Sequence, residues 1–373
     1  MDSNLFLIIL LLIIGLLLPF LIFLMRNLNA ILPYLYLNAR IRAKEARLLK
    51  QDMFEDMIQA GSVPEIASML ENSEYGLAMQ GLVLDSAESI EELLTRQTAD
   101  IYCEIAAMLP ERAERALVFL KRQWDIRNIK TVMRAVRKGV SADDTMKRIV
   151  PFGEIDMEQL RKMAESQTME DLLTLFEGTF YEELSRMFPA VEQAGSLLPL
   201  EAALDKLLLE DLWKAVTGDR NLLDLRPHCA ARIDAVNLNM LFRAKRDSIL
   251  LDDIKPYLVA GGELPPAVVG AYDEVDDIGA LIAELEGSVF YKGLMDALPE
   301  YETTGSLYHL EKKLVETVLA VGRDSAIKQP YGIAPVLGFL SAKETEVRAI
   351  RAVSRAKEAG LAPETIRECL VGM

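Results

Sequence analysis

Two stretches of this chain decide its fold: DIRNIKTVMRAVRKG at residues 125–139 and DAVNLNMLFRAKRDS at residues 234–248. Both are rich in helix-forming residues, and their apolar side chains recur every three to four positions, which predicts amphipathic helices. They align at a constant offset of 109 positions. The identical positions are Asp125/Asp234, Asn128/Asn237, Arg134/Arg243, Ala135/Ala244 and Arg137/Arg246. The two stretches therefore indicate an internal repeat of a helical unit.

The repeat continues well beyond this helix. Gly153-Glu154 aligns with Gly262-Glu263 at the same offset, and Tyr181 aligns with Tyr291 one position later in register. At offset 110 the segment from Gly195 to Glu201 follows, aligning with the segment from Gly305 to Glu311. Because chance does not hold a register over such a length, the chain contains two complete copies of one unit.

A third copy is divided between the two ends of the chain. Residues 65–75 align with 171–181, and residues 346–360 align with 125–139 through pairs such as Arg127/Arg348 and Arg134/Arg355. The sequence therefore predicts an all-α protein with a pseudo-threefold repeat, in which three similar helical domains form a closed or funnel-like assembly. The predicted parts are a hydrophobic anchor helix at 1–33, a first helical unit at 34–124, a second at 125–232, a third at 233–335, and C-terminal helices at 336–373 that close onto the first unit.

The repeated helix carries a stripe of small residues beside its apolar stripe, such as Ala135 and Gly139. Small residues allow a second helix to approach closely, and a buried asparagine needs hydrogen-bond partners such as a loop or a helix end. We expect these positions, and the repeated arginines, to pack one unit against another, although contact with a partner protein is the other interpretation. The candidate interface residues are Asn128, Arg134, Gly153, Asn237, Arg243, Gly262, Arg348 and Arg355.

The N-terminal stretch Leu5–Met25 contains 21 residues without a charge. About 20 apolar residues span a bilayer as a helix, and neither a basic start nor a small-residue cleavage site marks a signal peptide. We therefore expect an uncleaved membrane anchor; the alternative is a chain that begins at Met25. Six basic residues against one acid between residues 26 and 50 place the bulk of the chain on the cytoplasmic side of the cell membrane.

Charge is unevenly distributed along the rest of the chain. The formal net charge of −16 argues against a nucleic-acid-binding protein, which needs a basic face. Residues 111–138 carry nine basic residues against three acids, whereas residues 251–320 carry four basic residues against fourteen acids. Two fields of opposite sign could orient the protein between two partners, or could be two solvated faces.

The sequence contains no phosphate-binding loop, dinucleotide-binding fingerprint, nucleophile elbow or zinc-protease motif. His228 and Cys229 are neighbours on a helix and point apart, and the three cysteines have no metal-ligand spacing. The acidic run Asp273–Asp277, with Asp252-Asp253 upstream, lacks the second facing motif that a magnesium–diphosphate site needs. We therefore predict no catalytic, cofactor-binding or metal-binding residues and no small-molecule substrate.

The repeated pattern D-x-x-N-[IL]-x-x-x-x-R-A, followed by G-E-[IL], resembles the C subunit of the archaeal and vacuolar-type ATP synthase family, whose vacuolar counterpart is the d subunit. The matching stretches are 125–139 with 153–155 and 234–246 with 262–264. The opening YLNARIRAK at 36–44 and the ending from Lys343 to Leu361 resemble the first and last helices of that family. The resemblance covers roughly residues 34–373.

The resemblance implies a funnel-shaped, non-catalytic rotor subunit without nucleotide or cofactor. Such a subunit sits on the membrane proteolipid ring, receives the foot of the central stalk, and transmits torque for ATP synthesis or ion transport. Leu5–Met25 is additional to the family pattern, and we expect it inside the ring. The alternative function is a membrane-anchored helical scaffold outside the ATPase.

Overall fold

The computed structural model describes residues 3–187, 189, 195–328 and 332–370; before residue 31 it describes side chains only at positions 15, 17–19, 21, 25 and 28. This part of the chain is helical and contains no β-strand, so the predicted all-α class is confirmed. The α-helices are α1 (Ser3–Glu45), α2 (Gln51–Gln59), α3 (Val63–Glu71), α4 (Gly76–Met79), α5 (Ala87–Met108), α6 (Glu114–Lys138), α7 (Ala142–Met146), α8 (Met157–Ala164), α9 (Met169–Thr174), α10 (Leu198–Gly218), α11 (Arg226–Arg246), α12 (Leu251–Ile254), α13 (Pro266–Gly270), α14 (Ile278–Ala283), α15 (Tyr291–Thr304), α16 (Tyr308–Lys328), α17 (Ala334–Glu358) and α18 (Pro363–Leu370). Short 3-10 helices lie at Glu111–Ala113, Glu182–Met187, Arg220–Leu225 and Lys255–Tyr257.

The long helices pack as three antiparallel pairs, which we call the first, second and third pair. The first pair is α5 with α17, the second is α6 with α10, and the third is α11 with α16. Each pair has a buried cluster, and the second cluster extends to the second half of α5, the start of α17 and the end of α1. The first pair therefore joins a helix from the N-terminal third of the chain to one near its C-terminus.

The ends of the paired helices follow local capping rules. Ser86 begins α5 with a capping box, in which its hydroxyl and that of Ser89 satisfy each other's backbone N–H groups. At the other end, α6, α11 and α17 are each followed by a residue with positive φ: Gly139 (65°), Ser248 (55°) and Gly360 (71°). The residue after each one donates its N–H to a carbonyl near the helix end, as in a Schellman motif.

Helix α1 joins this body through its last turns. Tyr34, Leu37 and Ile41 are buried, and α1 packs against α17. Arg40 and Lys44 form ion pairs with Glu104 of α5 at 3.0 and 2.7 Å.

The predicted anchor over Leu5–Met25 is not supported. Helix α1 begins at Ser3 and runs through this stretch without a break at residue 33, yet no helix among the described residues is long and apolar enough to cross a membrane. A span needs about 20 consecutive apolar residues, and most side chains of Leu5–Met25 lie outside those that the structure describes.

Candidate partner-binding cavity

Two aspartates at matched positions hold loops against their helices. Asp125 of α6 accepts the backbone N–H groups of Glu154 and Ile155 at 2.9 and 3.1 Å, and Asp234 of α11 accepts that of Glu263 at 3.0 Å. Burial raises the pKa of both carboxyls to about 6. The backbone hydrogen bonds to each carboxylate act in the opposite direction and lower its pKa.

The glycines of the repeated Gly-Glu dipeptide are explained by these aspartates. A Cβ at Gly153 would lie 2.0 Å from Oδ1 of Asp125, and one at Gly262 would lie 2.0 Å from Oδ1 of Asp234. Any side chain at either position would therefore push the loop away from the carboxylate.

The two predicted asparagines bind the same loops by reciprocal hydrogen bonds. Asn128 donates to the carbonyl of Val150 at 2.8 Å and accepts its N–H at 3.1 Å, while Asn237 does the same with Val259 at 3.0 and 2.8 Å. Both side chains are buried. The structure thus places these asparagines against loops that follow their own helices.

The first pair has a corresponding carboxylate that sequence reasoning did not single out. Glu346 of α17 accepts the N–H of Leu49 at 2.6 Å and the hydroxyl of Tyr75 at 2.6 Å. Lys343 forms ion pairs with Glu346, at 2.5 Å, and with Glu74, and its ammonium lies 4.2 Å from the centre of the Tyr75 ring. Because these side chains are almost wholly buried, they form a polar lock between the two ends of the chain.

Each repeated arginine pairs with a glutamate on the other helix of its own pair. The ion pairs are Arg134–Glu201, Arg243–Glu311 and Arg355–Glu91, and the three glutamates are spaced 110 positions apart. Arg348 is exposed and donates to the hydroxyl of Thr345. The structure therefore places Arg134, Arg243 and Arg355 inside helix pairs, whereas the sequence placed them between units.

The basic character of α6 is largely neutralised. Arg122 contacts Glu154 and Asp211, and Lys130 contacts Asp205. On the acidic side, Asp273 accepts the N–H of Leu251 and Asp277 caps α14 by accepting the N–H of Ala280. Within the described residues, no cluster of acids, histidines and cysteines is arranged to hold a metal ion.

His228 and Cys229 do not form a nucleophilic pair. Burial lowers the pKa of His228 to about 4 and raises that of Cys229 to about 12, so both are neutral near pH 7. Nδ1 of His228 has no hydrogen-bond partner among the described residues, and it lies against Gly322, where a Cβ would approach it to 2.9 Å. This close approach lets α11 and α16 pack tightly.

A cavity of about 860 Å³ lies beside this contact, between the third pair and the first. Its walls are α16, the first half of α17 and α2, with Leu48 and Leu49 on one side and Gly322 and Arg323 on the other. Its interior is mainly apolar and its rim carries charged side chains, which is the character of a binding site for a partner or ligand. The sequence did not predict it, because an empty space has no residue pattern of its own.

The amino-acid sequence matches known proteins over most of its length. The family model described as ATP synthase (C/AC39) subunit matches residues 37–369. The C subunit of the A-type ATP synthase of Methanocaldococcus jannaschii is 33% identical over 350 residues, covering 91% of this chain and 87% of that protein. The same subunit of Methanothermobacter thermautotrophicus is 32% identical, covering 91% and 88%. That of Pyrococcus abyssi is 30% identical, covering 90% of each chain. On this agreement over most of its length, the chain belongs to the ATP synthase (C/AC39) subunit family.

Proposed function

We propose that this chain is a rotor subunit of an archaeal-type ATP synthase that joins the central stalk to the membrane proteolipid ring. Membership of the ATP synthase (C/AC39) subunit family carries the proposal and makes the chain a non-catalytic subunit, not an enzyme in itself. Its role is to transmit torque, either for ATP synthesis or for ATP-driven ion pumping. It works at the cell membrane with its bulk on the cytoplasmic side, where the proteolipid ring holds it.

The matched contacts of the three helix pairs support a body made of three similar units in a funnel-like arrangement. Each pair has a carboxylate that accepts a loop N–H, a crossing Arg–Glu ion pair and a C-cap with positive φ. Such bracing suits a part that transmits torque, because close-packed helices whose loops are held by buried carboxylates resist deformation.

The cavity is the part of this body best suited to receive the stalk. It is large enough to bury most of a small organic molecule, a class of cavity that measures roughly 300–1,000 Å³, and its apolar walls favour a partner with apolar side chains. The contact with the proteolipid ring then falls on a different surface of this body from the contact with the stalk.

Co-purification after mild detergent extraction tests this function. The chain carrying a C-terminal affinity tag should bring down the proteolipid ring together with the central-stalk subunits of the same complex. A strain that lacks the chain should hydrolyse ATP without moving ions across the membrane. If neither the ring nor the stalk co-purifies, a helical scaffold outside the ATPase becomes the better assignment.

A further inference from the structure

Two of the three junctions between helix pairs are filled by aromatic side chains. Between the first pair and the second, Tyr102 of α5 packs on Phe152, with ring centres 5.2 Å apart. Between the second pair and the third, Trp213 of α10 covers Gly261 so closely that a Cβ there would lie 2.5 Å from the indole. We call these contacts the first and second seams.

Polar contacts also close the second seam. Glu210 accepts the N–H of Ala260 at 3.0 Å, and Lys206 donates to the carbonyl of Pro256 at 2.5 Å. The loop on this side of the seam is the one that Asp234 holds through Glu263. A helix of one pair thus meets the carboxylate-held loop of the next pair.

Among the residues that the structure describes, no aromatic side chain fills the third seam, between the third pair and the first. The corresponding loop contains Leu49, which Glu346 holds, and the helix that faces it is α16. Counting 110 positions from Trp213 leads to Arg323, and the same step from Leu212 leads to Gly322. The space that an indole occupies at the second seam is therefore part of the cavity of about 860 Å³ at the third.

The positively charged residues that line the cavity differ in whether they form ion pairs. The rim cations Arg367 and Lys312 pair with Glu55 and Glu316 at 3.0 and 3.9 Å. In the part of the chain that the structure describes, exposed Arg323 has no ion-pair partner. A single positive charge thus stands uncompensated beside an apolar space.

The wall that α17 contributes to the cavity indicates which kind of segment of a binding partner could enter it. Gly338, Ser341 and Ala342 line the cavity on this helix. Residues this small allow another helix to come close, whereas bulky side chains would hold it away. The cavity thus favours a helical segment over a loop.

We propose that a helix of the central stalk completes the third seam, by placing an aromatic side chain in the cavity and a neighbouring carboxylate on Arg323. This inference rests on the proposed function, because that function makes the stalk the partner. The aromatic ring takes the place that Trp213 fills at the second seam, and the ion pair fixes the helix in register. The junction between the third pair and the first is then complete only in the assembled complex.

Binding of the purified central-stalk subcomplex to the purified full-length chain, measured by calorimetry, tests this proposal. Arg323→Trp, which fills the seam from within, should weaken binding about tenfold or more without lowering the melting temperature. Arg323→Glu should weaken it about fivefold by reversing the charge. The matched control is Arg96→Glu, an exposed arginine on α5 away from the cavity, which should stay within about twofold of the unsubstituted chain.

A photo-crosslinking benzoylphenylalanine at Ser341 identifies the residues that enter. The proposal expects the crosslink on a stalk helix that carries an aromatic residue beside Asp or Glu. A crosslink on a segment without both, or stalk binding unaffected by either Arg323 substitution, would overturn it and leave the proposed function standing. Failure of the unsubstituted chain to bind the stalk would instead overturn the proposed function.

Discussion

Replacing Ser248 with glycine should stabilise the protein. Ser248 lies two residues after the end of α11 and is, within the described residues, the one residue other than glycine with a positive φ, 55°. The matched positions after α6 and α17 are glycines with φ of 65° and 71°. The cap itself is intact, since Ile249 donates to the carbonyl of Ala244 at 2.8 Å, so the substitution relieves strain without removing this bond.

The size of the effect is the difference between two costs. An L-residue in the left-handed region costs about 1–2 kcal/mol. Glycine avoids this cost but destabilises the folded state by roughly 0.5–1 kcal/mol, because it loses more backbone entropy on folding. The net gain in the free energy of unfolding should be about 0.5–1 kcal/mol, which corresponds to a rise in Tm on the order of 1 °C for a chain of this size.

Differential scanning calorimetry and guanidinium denaturation measure this difference. The matched control is Gly139→Ser, which creates at α6 the strain that Ser248→Gly removes at α11 and should destabilise by a similar amount. A lower Tm for Ser248→Gly, or an unchanged Tm for both variants, would refute the explanation by backbone strain.

Three further substitutions test other contacts. Gly153→Ala should lower the free energy of unfolding by about 2–4 kcal/mol, because its Cβ would overlap a carboxylate; Gly270→Ala, with nothing within 4 Å of the new Cβ, should change Tm little. Lys343→Met should cost about 3–5 kcal/mol in denaturant titrations, since it leaves two buried glutamates uncompensated, and exposed Lys138→Met should be nearly neutral. The pKa of Asp234 is raised to about 6 in the folded state, so the folded chain binds more protons than the unfolded chain between about pH 4 and 6, and this group favours folding increasingly as pH falls through that window. Asp234→Asn should remove this part of the pH dependence of the denaturation midpoint; an identical pH profile would contradict it.

The helices, and the polar residues that serve them, could be predicted from the sequence because their signals are local. The spacing of apolar residues indicates the helices, and a buried asparagine such as Asn128 must find a hydrogen-bond partner. The partner of Arg134 could not be predicted, since a position on a helix face does not tell which of two flanking helices it meets. Its glutamate is 67 positions away in the chain.

The basic stretch of α6 illustrates the same limit. Counting charges along residues 111–138 shows an excess of basic residues but not their partners, whereas in the structure α10 supplies Asp205 and Asp211 as partners. The cavity escaped prediction for a related reason. It is a space left between residues such as Arg323 and Leu49, which come from distant parts of the chain.

The pairing of α5 with α17 has a consequence for synthesis on the ribosome. Helix α5 is made early, but its partner begins at Ala334, so the first pair must wait for more than 200 residues of further chain. Contacts between such distant segments form slowly, because the intervening loop must be closed at an entropic cost. Until then the part of the apolar face of α5 that α17 covers is exposed and open to aggregation. The helices of the second and third pairs are all made before α17, so the synthesis of α17 determines when α5 can complete its pair.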